Sequence, residues 1–263
     1  MSGDNTRLLE VSGLRVSVPG RVLVDGLDMT LEQGEFIAVL GRNGTGKTLS
    51  LLTLAGLREM DGGAVRLGGA TIGSLRRQQV AKRLAMLPQD TDDIFPATVL
   101  DTALVGRHPH IGRFRWESPQ DYEHARASLE QVGMEELANR DVLSLSGGER
   151  RRLAIAQVLT QSPEVYLLDE PTNHLDPQHQ VDTLNVFRRA ADNGAGVIAS
   201  LHDVNLAARV ADRCLLLFGD GRWEFGMTDE VLDEERLEAL FDTPMEAVRW
   251  RDRQLFFAVS GPP

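Results

Sequence analysis

The chain has 263 residues, of which 42% are hydrophobic and 25% are charged, as in ordinary soluble globular proteins. Its 28 Lys and Arg against 39 Asp and Glu give a net charge of −11, which argues against a broad nucleic-acid-binding surface. The single cysteine, Cys214, can form neither an internal disulfide nor a cysteine-based metal site, which fits a reducing compartment. The first residues lack the apolar core of a secretory signal, and no run reaches the roughly 18 apolar residues of a membrane span. We therefore expect any membrane-spanning part to belong to another chain.

The N-terminal third predicts an antiparallel β subdomain followed by the first strand of a buried sheet. Leu8–Val18 and Arg21–Leu31 alternate apolar and polar residues across the turn Pro19–Gly20, which is typical of a hairpin. Glu35–Leu40 is a nearly continuous apolar run, as in a parallel strand buried on both faces. Ala64–Leu67, between glycine pairs, predicts a further hairpin strand.

The middle of the chain changes to helical patterning with charged faces, which predicts a helical subdomain at about 90–160. Two more buried strands follow, Val165–Asp169 and Gly196–Leu201, with a helix over Gln178–Ala191 between them. Strands that alternate with helices at this spacing predict a mostly parallel α/β sheet.

The C-terminal part is less regular. Cys214–Phe218 reads as a buried strand, the acidic stretch Thr228–Glu246 as helical, and Arg249–Val259 as a final strand or an appended segment. We divide the chain into one domain over residues 1–235 and an extension over residues 236–263.

A glycine-rich loop between the strand at 35–40 and a helix at 49–57 matches the pattern G-x-x-x-x-G-K-[ST]. Its residues are Gly41, Arg42, Asn43, Gly44, Thr45, Gly46, Lys47 and Thr48. Glycines let backbone N–H groups point at an anion, and the helix N-terminus adds its positive dipole end. We expect the loop to wrap a phosphate chain, with Lys47 on the β- and γ-phosphates and the Thr48 hydroxyl on Mg²⁺.

Two adjacent carboxylates end the strand that begins at Val165. Asp169 can hold Mg²⁺ beside the phosphate loop, while Glu170 is free to act on a water molecule. Such a pair is weak evidence alone, because strands often end in acidic residues. Next to a phosphate loop it favours hydrolysis.

A second anion site is predicted at the start of another helix. Ser146, Gly147 and Gly148 supply a hydroxyl and free backbone N–H groups at that helix N-terminus. The alternative is a plain helix cap. The chain thus has two predicted phosphate-binding sites but only one phosphate-binding lysine. This suggests that the second site binds the nucleotide of a neighbouring chain.

Together these motifs resemble the nucleotide-binding subunit of an ATP-binding cassette (ABC) transporter, over roughly residues 8–220. The residues that carry the resemblance are Gly41–Thr48, Gln89, Leu145–Glu149, Leu167–Glu170, Asn173–Asp176 and His202. It implies a P-loop NTPase core of the RecA type with an antiparallel β subdomain and an inserted helical subdomain. It also implies ATP hydrolysis with Mg²⁺.

The resemblance assigns further roles. Two copies would pack head to tail, so that ATP lies between the loop 41–48 of one chain and Ser146–Gly148 of the other, with Asp176 in the loop that contacts the partner. Gln89 would approach Mg²⁺ and the attacking water, and His202 would contact the γ-phosphate. The family's adenine-stacking aromatic residue is replaced here by Val18, which leaves adenine selectivity open.

The stretches 97–110, 170–180 and 202–208 resemble the ATPases of importers for iron–siderophore complexes, haem and cobalamin. That likeness implies two integral-membrane permease subunits, a second copy of the chain and, indirectly, an external substrate-binding protein. It places the chain peripherally at the cytoplasmic face of the inner membrane. A soluble ABC ATPase not coupled to transport is the alternative, and a P-loop kinase would not need Leu145–Glu149 or His202.

We expect residues 90–110 to dock on the permease. The apolar contacts would come from Phe95, Val99 and Leu104, and the polar rim from Arg107, His108 and His110. The alternative for the two histidines, a metal site, lacks surrounding carboxylates or cysteines. Arg113–Trp116 could be a membrane-surface segment or a loop packed on the permease.

Overall fold

The computed structural model describes residues 7–89, 96–112, 115–251 and 253–259. The strands of this part of the chain are β1 (Arg7–Val18), β2 (Arg21–Glu32), β3 (Phe36–Leu40), β4 (Gly62–Leu67), β5 (Ala70–Thr71), β6 (Leu84–Leu87), β7 (Val165–Leu168), β8 (Gly196–Ser200), β9 (Arg213–Leu217), β10 (Trp223–Met227), β11 (Met245–Trp250) and β12 (Arg253–Ala258). Its α-helices are α1 (Lys47–Leu54), α2 (Arg77–Arg83), α3 (Val99–Leu104), α4 (Pro119–Gln131), α5 (Gly147–Gln161), α6 (Pro177–Asp192), α7 (Val204–Val210), α8 (Thr228–Val231) and α9 (Glu234–Phe241).

The predicted N-terminal hairpin opens an antiparallel sheet of order β2-β1-β4-β5. The turn Pro19–Gly20 joins β1 to β2, and Val18 lies opposite Arg21 across it. Gly20 has φ of 79°, in the left-handed region that glycine adopts without strain. This confirms the antiparallel N-terminal subdomain.

The main sheet has the order β10-β9-β3-β8-β7-β6, with β9, β3, β8, β7 and β6 parallel and β10 antiparallel at the edge. Every residue of β3, β7 and β8 is buried, as expected for strands covered on both faces. The segments that follow these three strands therefore emerge at one edge of the sheet, where open α/β folds place their ligands.

Layers on both faces cover the sheet. One face packs Ile37, Val39 and Ile198 against α1 and the N-terminal strands. The other packs Ala38 and Ala199, among others, against α5, α6 and α7. Helices α3, α4 and part of α5 enclose a separate core, which is the helical subdomain that the middle of the chain predicts.

The C-terminal part packs against the main core. Leu237 and Leu240 of α9 and Phe256 of β12 are buried there. The helix expected to run to residue 246 ends earlier, because Asp242 has φ of 55° and Pro244 follows, after which β11 begins. The division between residues 235 and 236 stays a prediction, and α9 runs across it.

Two of the predicted docking residues, Val99 and Leu104, are wrong. Val99 and Leu104 are buried in the core of the helical subdomain. Residues 99, 100, 103 and 104 are apolar, and this spacing places them on one face of α3, which packs into that core. Arg107 points at Asp121, with Nε 2.8 Å from Oδ1, and donates to the carbonyl of Thr160.

The other residues assigned to that surface differ among themselves. His110 is half-buried and hydrogen-bonds through Nε2 to the carbonyl oxygen of Gln161 at 2.8 Å. His108 is exposed, and so is Val105, three residues before it. Phe95 lies outside the described residues, as do Arg113 and Phe114, whereas Trp116 is exposed.

No cluster of three or more His, Cys, Asp or Glu side chains in the described ranges is arranged to hold a metal ion. None of their helices combines the length and apolar character needed to cross a bilayer.

Candidate functional site

The loop 41–48 connects β3 to α1 and is shaped by glycine. Gly44 and Gly46 have φ of 77° and 105°, which other residues rarely adopt. A Cβ atom on Gly46 would lie 3.1 Å from Cβ of Leu23, so the loop packs closely on β2. The N-terminus of α1 thereby faces the space above the sheet edge, where its free N–H groups can receive an anion.

Lys47, the first residue of α1, is only 5% exposed. Its Nζ donates to the carbonyl oxygens of Gly41 at 2.8 Å and Arg42 at 3.2 Å, both within its own loop. Burial lowers the pKa of the Lys47 amine, and the nearby carboxylates of Glu170 and Asp169 act in the opposite direction. A buried ammonium group thus stands at the mouth of the loop.

Asp169 follows β7 and is buried. Its Oδ1 accepts a hydrogen bond from Oγ of Ser200 at 2.7 Å, and that Oγ accepts one from the backbone N–H of Glu170 at 2.9 Å. Oδ2 of Asp169 is also buried but receives no hydrogen bond from the described residues. A buried carboxylate oxygen without a donor is costly unless a cation or water reaches it.

Glu170 adopts φ of 48°, an uncommon backbone conformation for a residue with a side chain and one that clusters at functional sites. The side chain is 6% exposed and both of its oxygens are engaged. Oε1 lies 2.6 Å from Nε2 of His202, and Oε2 accepts a hydrogen bond from Nδ2 of Asn173. The carboxylate is therefore held in one orientation.

A cleft of about 540 Å³ brings half of the predicted site residues together. Its lining residues are Val18, Arg21, Leu23, Asn43, Gly44, Gly46, Lys47, Thr48, Leu49, Gln89, Glu170, Asn173 and His202. Residues far apart in sequence meet here because they follow β3, β6, β7 and β8, whose carboxyl ends share one edge. Gly41, Arg42 and Thr45 form the loop behind the cleft, where Oγ1 of Thr45 donates to the carbonyl of Arg42 at 2.9 Å.

Besides Gly41, Arg42, Thr45 and the buried Asp169, four more predicted residues do not line this cleft: Ser146, Gly147, Gly148 and Asp176. Ser146 caps α5, accepting from the N–H of Glu149, whose carboxylate accepts in return from the N–H of Ser146 at 2.7 Å. These bonds lower the pKa of Glu149. Ser146 is therefore a helix cap, as the alternative interpretation predicts. Ser146 and Gly147 are also exposed at this helix N-terminus.

Asp176 caps α6 by accepting from the N–H of His179 at 3.0 Å, and this bond lowers the pKa of the Asp176 carboxyl. A Cβ atom on Gly148 would lie 3.8 Å from the carbonyl oxygen of His174. The two outlying segments are therefore neighbours on one surface, apart from the cleft of their own chain.

Sequence reasoning missed the buried residue Arg151. Its guanidinium donates to the carbonyls of Pro88 at 2.7 Å, Asp169 at 2.8 Å and Glu170 at 2.7 Å. It also reaches the carbonyl of Gln89 at 3.1 Å. Arg151 therefore ties the segment of Gln89 to the segment of the two carboxylates. Its position within the run of three arginines at 150–152 gave no signal of this.

Comparisons with known proteins agree with this arrangement. A family model described as ABC transporter matches residues 24–173. The hemin import ATP-binding protein HmuV of Deinococcus radiodurans is 45% identical over 80% of each chain. The cobalamin import ATP-binding protein BtuD of Halobacterium salinarum is 38% identical over 89% of this chain and 58% of its own longer sequence.

A solved structure is also similar in fold. A metal-chelate type ABC transporter in an inward-facing conformation superposes with a TM-score of 0.84 at 29% identity, covering 97% of this chain and 98% of the other. The named relatives are ATP-binding subunits of hemin and cobalamin importers. The family model, the sequence identity to these relatives and the residues of the cleft all agree. The chain belongs to the ABC transporter family and is an ATP-binding α/β P-loop ATPase.

Proposed function

We propose that the chain is the ATP-hydrolysing subunit of an importer that energises uptake of a metal chelate, such as haem, cobalamin or a ferric siderophore, through a separate permease. The observation that carries the catalytic part is Glu170, fixed between His202 and Asn173 at the end of the phosphate loop's cleft. The importer part is supported by the relatives' names and the metal-chelate type neighbour.

In the proposed reaction the loop 41–48 holds the phosphate chain. The Nζ of Lys47 exchanges its loop carbonyls for β- and γ-phosphate oxygens, which are better partners for a buried ammonium group. Glu170 accepts a proton from water as the water oxygen attacks the γ-phosphorus, and the bond from that phosphorus to the β-phosphate oxygen breaks. His202 positions Glu170 and faces the γ-phosphate.

The residues of the cleft, together with the buried Asp169 next to Glu170, suit Mg²⁺. The donorless Oδ2 of Asp169, the hydroxyl of Thr48 and the amide oxygen of Gln89 are the hard oxygen ligands that Mg²⁺ prefers. When bound with the nucleotide, the ion would neutralise charge that develops on the phosphate oxygens. Because the described residues alone form no complete metal cluster, phosphate oxygens and water would have to finish the shell.

A second copy of the chain would complete the site. Ser146, Gly147 and Gly148 lie outside the cleft of their own chain but present an exposed helix N-terminus, which suits a phosphate from a partner. Asp176 borders the same surface. Head-to-tail pairing of two copies would place each of these segments over the other copy's loop 41–48, so we propose a homodimer.

We place this homodimer peripherally at the cytoplasmic face of the membrane, on two permease subunits, with an external binding protein as indirect partner. In the segment 96–110 the exposed residues available for that contact are Pro96, Asp101, Val105 and His108. No nucleic acid is proposed as a partner, since the net charge is −11.

The test is ATPase activity of the chain alone and with its genomic-neighbour permease in lipid vesicles. Haem, cobalamin and ferric siderophores are offered in turn on a cognate binding protein. We expect stimulation by one loaded binding protein, which would also identify the cargo. A rate indifferent to both permease and binding protein would contradict the importer and favour the alternative, a soluble ABC ATPase.

A further inference from the structure

A second cavity, of about 560 Å³, lies between α7 and the hairpin formed by β11 and β12. Small-molecule sites in proteins have volumes of roughly 300 to 1,000 Å³, so this cavity can hold a ligand of modest size. Among the described residues, none lines both this cavity and the cleft beside the loop 41–48. The cavity is therefore separate from the site described above.

A side-chain amide fixes the hairpin to α7. The Nδ2 of Asn205 donates to the carbonyl oxygen of Phe256 at 3.0 Å, and the N–H of Phe256 donates to Oδ1 of Asn205 at 2.9 Å. Both backbone groups of Phe256 therefore point away from β11. Since every second residue of a strand directs its N–H and C=O to the same side, those of Gln254 point this way too. Gln254 lines the cavity, so this wall offers a backbone N–H donor.

The walls of the cavity are largely apolar. Leu232 and Phe256 belong to the main core, and each is 4% exposed where it lines the cavity. Leu255 of β12 is half-buried. Trp250, the last residue of β11, is 54% exposed, and the guanidinium carbon of Arg251 lies 4.4 Å from the centroid of its ring. A ligand with an apolar body would cover these surfaces.

The charged side chains that line the cavity do not cancel. Asp212 is already paired, because its Oδ2 lies 2.7 Å from Nη1 of Arg188. Within the described part of the chain, the side chains of Arg209, Arg253 and Asp229 have no hydrogen-bond or ion-pair partner. Two positive charges thus line the cavity with one unpaired negative charge. This surplus of positive charge occurs in a chain whose net charge is −11.

We propose that this cavity binds a small apolar carboxylate. The aliphatic or aromatic body lies against the apolar walls, and the carboxylate binds the guanidinium groups of Arg209 and Arg253, which match its geometry. The N–H of Gln254 is a further donor for the same group. A surplus of one positive charge suits a monoanion, whereas the carboxylate of Asp229 repels a phosphate dianion more strongly. The proposal is independent of the proposed function, because the two sites share no described residue.

Isothermal titration of the full chain with decanoate tests both parts of the ligand. Decyltrimethylammonium carries a chain of the same length on a positive headgroup, and acetate carries the carboxylate without the chain. We expect one decanoate per chain with a Kd below about 100 µM, decyltrimethylammonium at least about tenfold weaker, and acetate without measurable binding. Saturating ATP with Mg²⁺ should change the Kd of decanoate by less than about twofold, because the two cavities are separate.

Charge reversals test the headgroup contact. Arg209→Glu and Arg253→Glu are each expected to weaken decanoate binding by about tenfold. The matched control is Arg249→Glu, on the same hairpin but outside the cavity lining, which should stay within about twofold of the wild type. All three arginines are exposed, so the substitutions leave the core intact.

Tryptophan fluorescence tests the position of the apolar body. Trp250→Phe should remove the change in fluorescence that decanoate causes, whereas Trp116→Phe, at a position 90% exposed outside the cavity lining, should keep it. The proposal is overturned if decanoate binds no more tightly than decyltrimethylammonium, if ATP displaces it, or if Arg249→Glu weakens it as much as the other two reversals. Retention of the full fluorescence change in Trp250→Phe would also overturn it.

Discussion

The Nε2 of His202 lies 2.6 Å from Oε1 of Glu170, while Asn173 donates to the other carboxylate oxygen. Glu170 and Asn173 lie in the turn after β7, whereas His202 follows β8. Helix α7 begins directly after His202 with Asp203 as its cap, which accepts from the N–H of Asn205 at 2.7 Å. The two contacts hold the carboxylate of Glu170 in one orientation. A water molecule that takes the place of His202 or Asn173 would therefore meet a carboxylate that is already oriented.

Replacing Glu170 by Gln removes the proposed base but keeps the size of the side chain and one of its two oxygens as a hydrogen-bond acceptor. We expect turnover to fall by about 10² to 10⁴ while ATP affinity stays within about twofold. ATP should then trap a closed dimer, visible by size-exclusion chromatography. The control is Glu136→Gln, an exposed residue of the helical subdomain. Turnover at the wild-type rate would show that Glu170 is not the base.

Replacing Asp169 by Asn tests the proposed metal ligand. The amide can still accept from Ser200, but it lacks the negative charge at the oxygen that has no donor. We expect the Mg²⁺ concentration for half-maximal ATPase activity to rise about tenfold or more. Asp182→Asn, an exposed position on α6, should leave the titration curve unchanged. An unchanged curve for Asp169→Asn would remove Asp169 from the metal site.

Replacing Arg151 by Lys keeps the charge but removes the fork that holds the carbonyls of Pro88, Asp169 and Glu170. We expect the free energy of unfolding to fall by about 2 kcal/mol. Turnover should fall several-fold, because the segments of Gln89 and Glu170 lose their common anchor. Arg152→Lys, at the next position, breaks a single bond of 3.3 Å to the carbonyl of Val132 and is the control. Equal effects of both variants on turnover would contradict the anchoring role.

The helical subdomain offers a matched pair of substitutions. Val99→Asp buries a charge at a position that is 0% exposed, so we expect a loss of about 3 kcal/mol or more in the free energy of unfolding. Val105→Asp, six residues on and 44% exposed, should change it by less than about 0.5 kcal/mol. Urea denaturation measures both. A stable Val99→Asp variant that loses only permease stimulation would restore Val99 to the docking surface.

The pair Arg107–Asp121 predicts a pH dependence of stability. The hydrogen bond from Arg107 lowers the pKa of Asp121 to about 2, below the value of about 3.9 in an unfolded chain. A lowered folded pKa means that the stabilisation is complete above about pH 4 and is lost as the pH falls towards 2. We expect Asp121→Asn to cost about 2 kcal/mol at pH 7 and about half as much at pH 3. A difference that does not change with pH would contradict this pairing.

The sequence by itself determined the parts that depend on local chemistry. The pattern of residues 41–48 requires glycines at left-handed positions and a lysine at a helix N-terminus, and the structure places Gly44, Gly46 and Lys47 accordingly. Short apolar runs identified β3, β7 and β8 because strands buried on both faces contain few polar residues. Their alternation with helices then predicted a parallel sheet whose carboxyl ends carry the site.

Only the tertiary structure decided which partners these residues have. Val99 and Leu104 look equally apolar on a surface or in a core, and their burial follows from α4 and α5 packing around them. Arg151 bonds to the carbonyl of Pro88 and Ser200 to the carboxylate of Asp169, and no local pattern encodes contacts between residues so far apart in sequence. Arg21 is an ordinary residue after a turn until the hairpin folds back and sets its guanidinium beside Gly219. Local sequence patterns determine which chemical groups each element carries. Packing between elements distant in sequence determines which other groups each of them contacts.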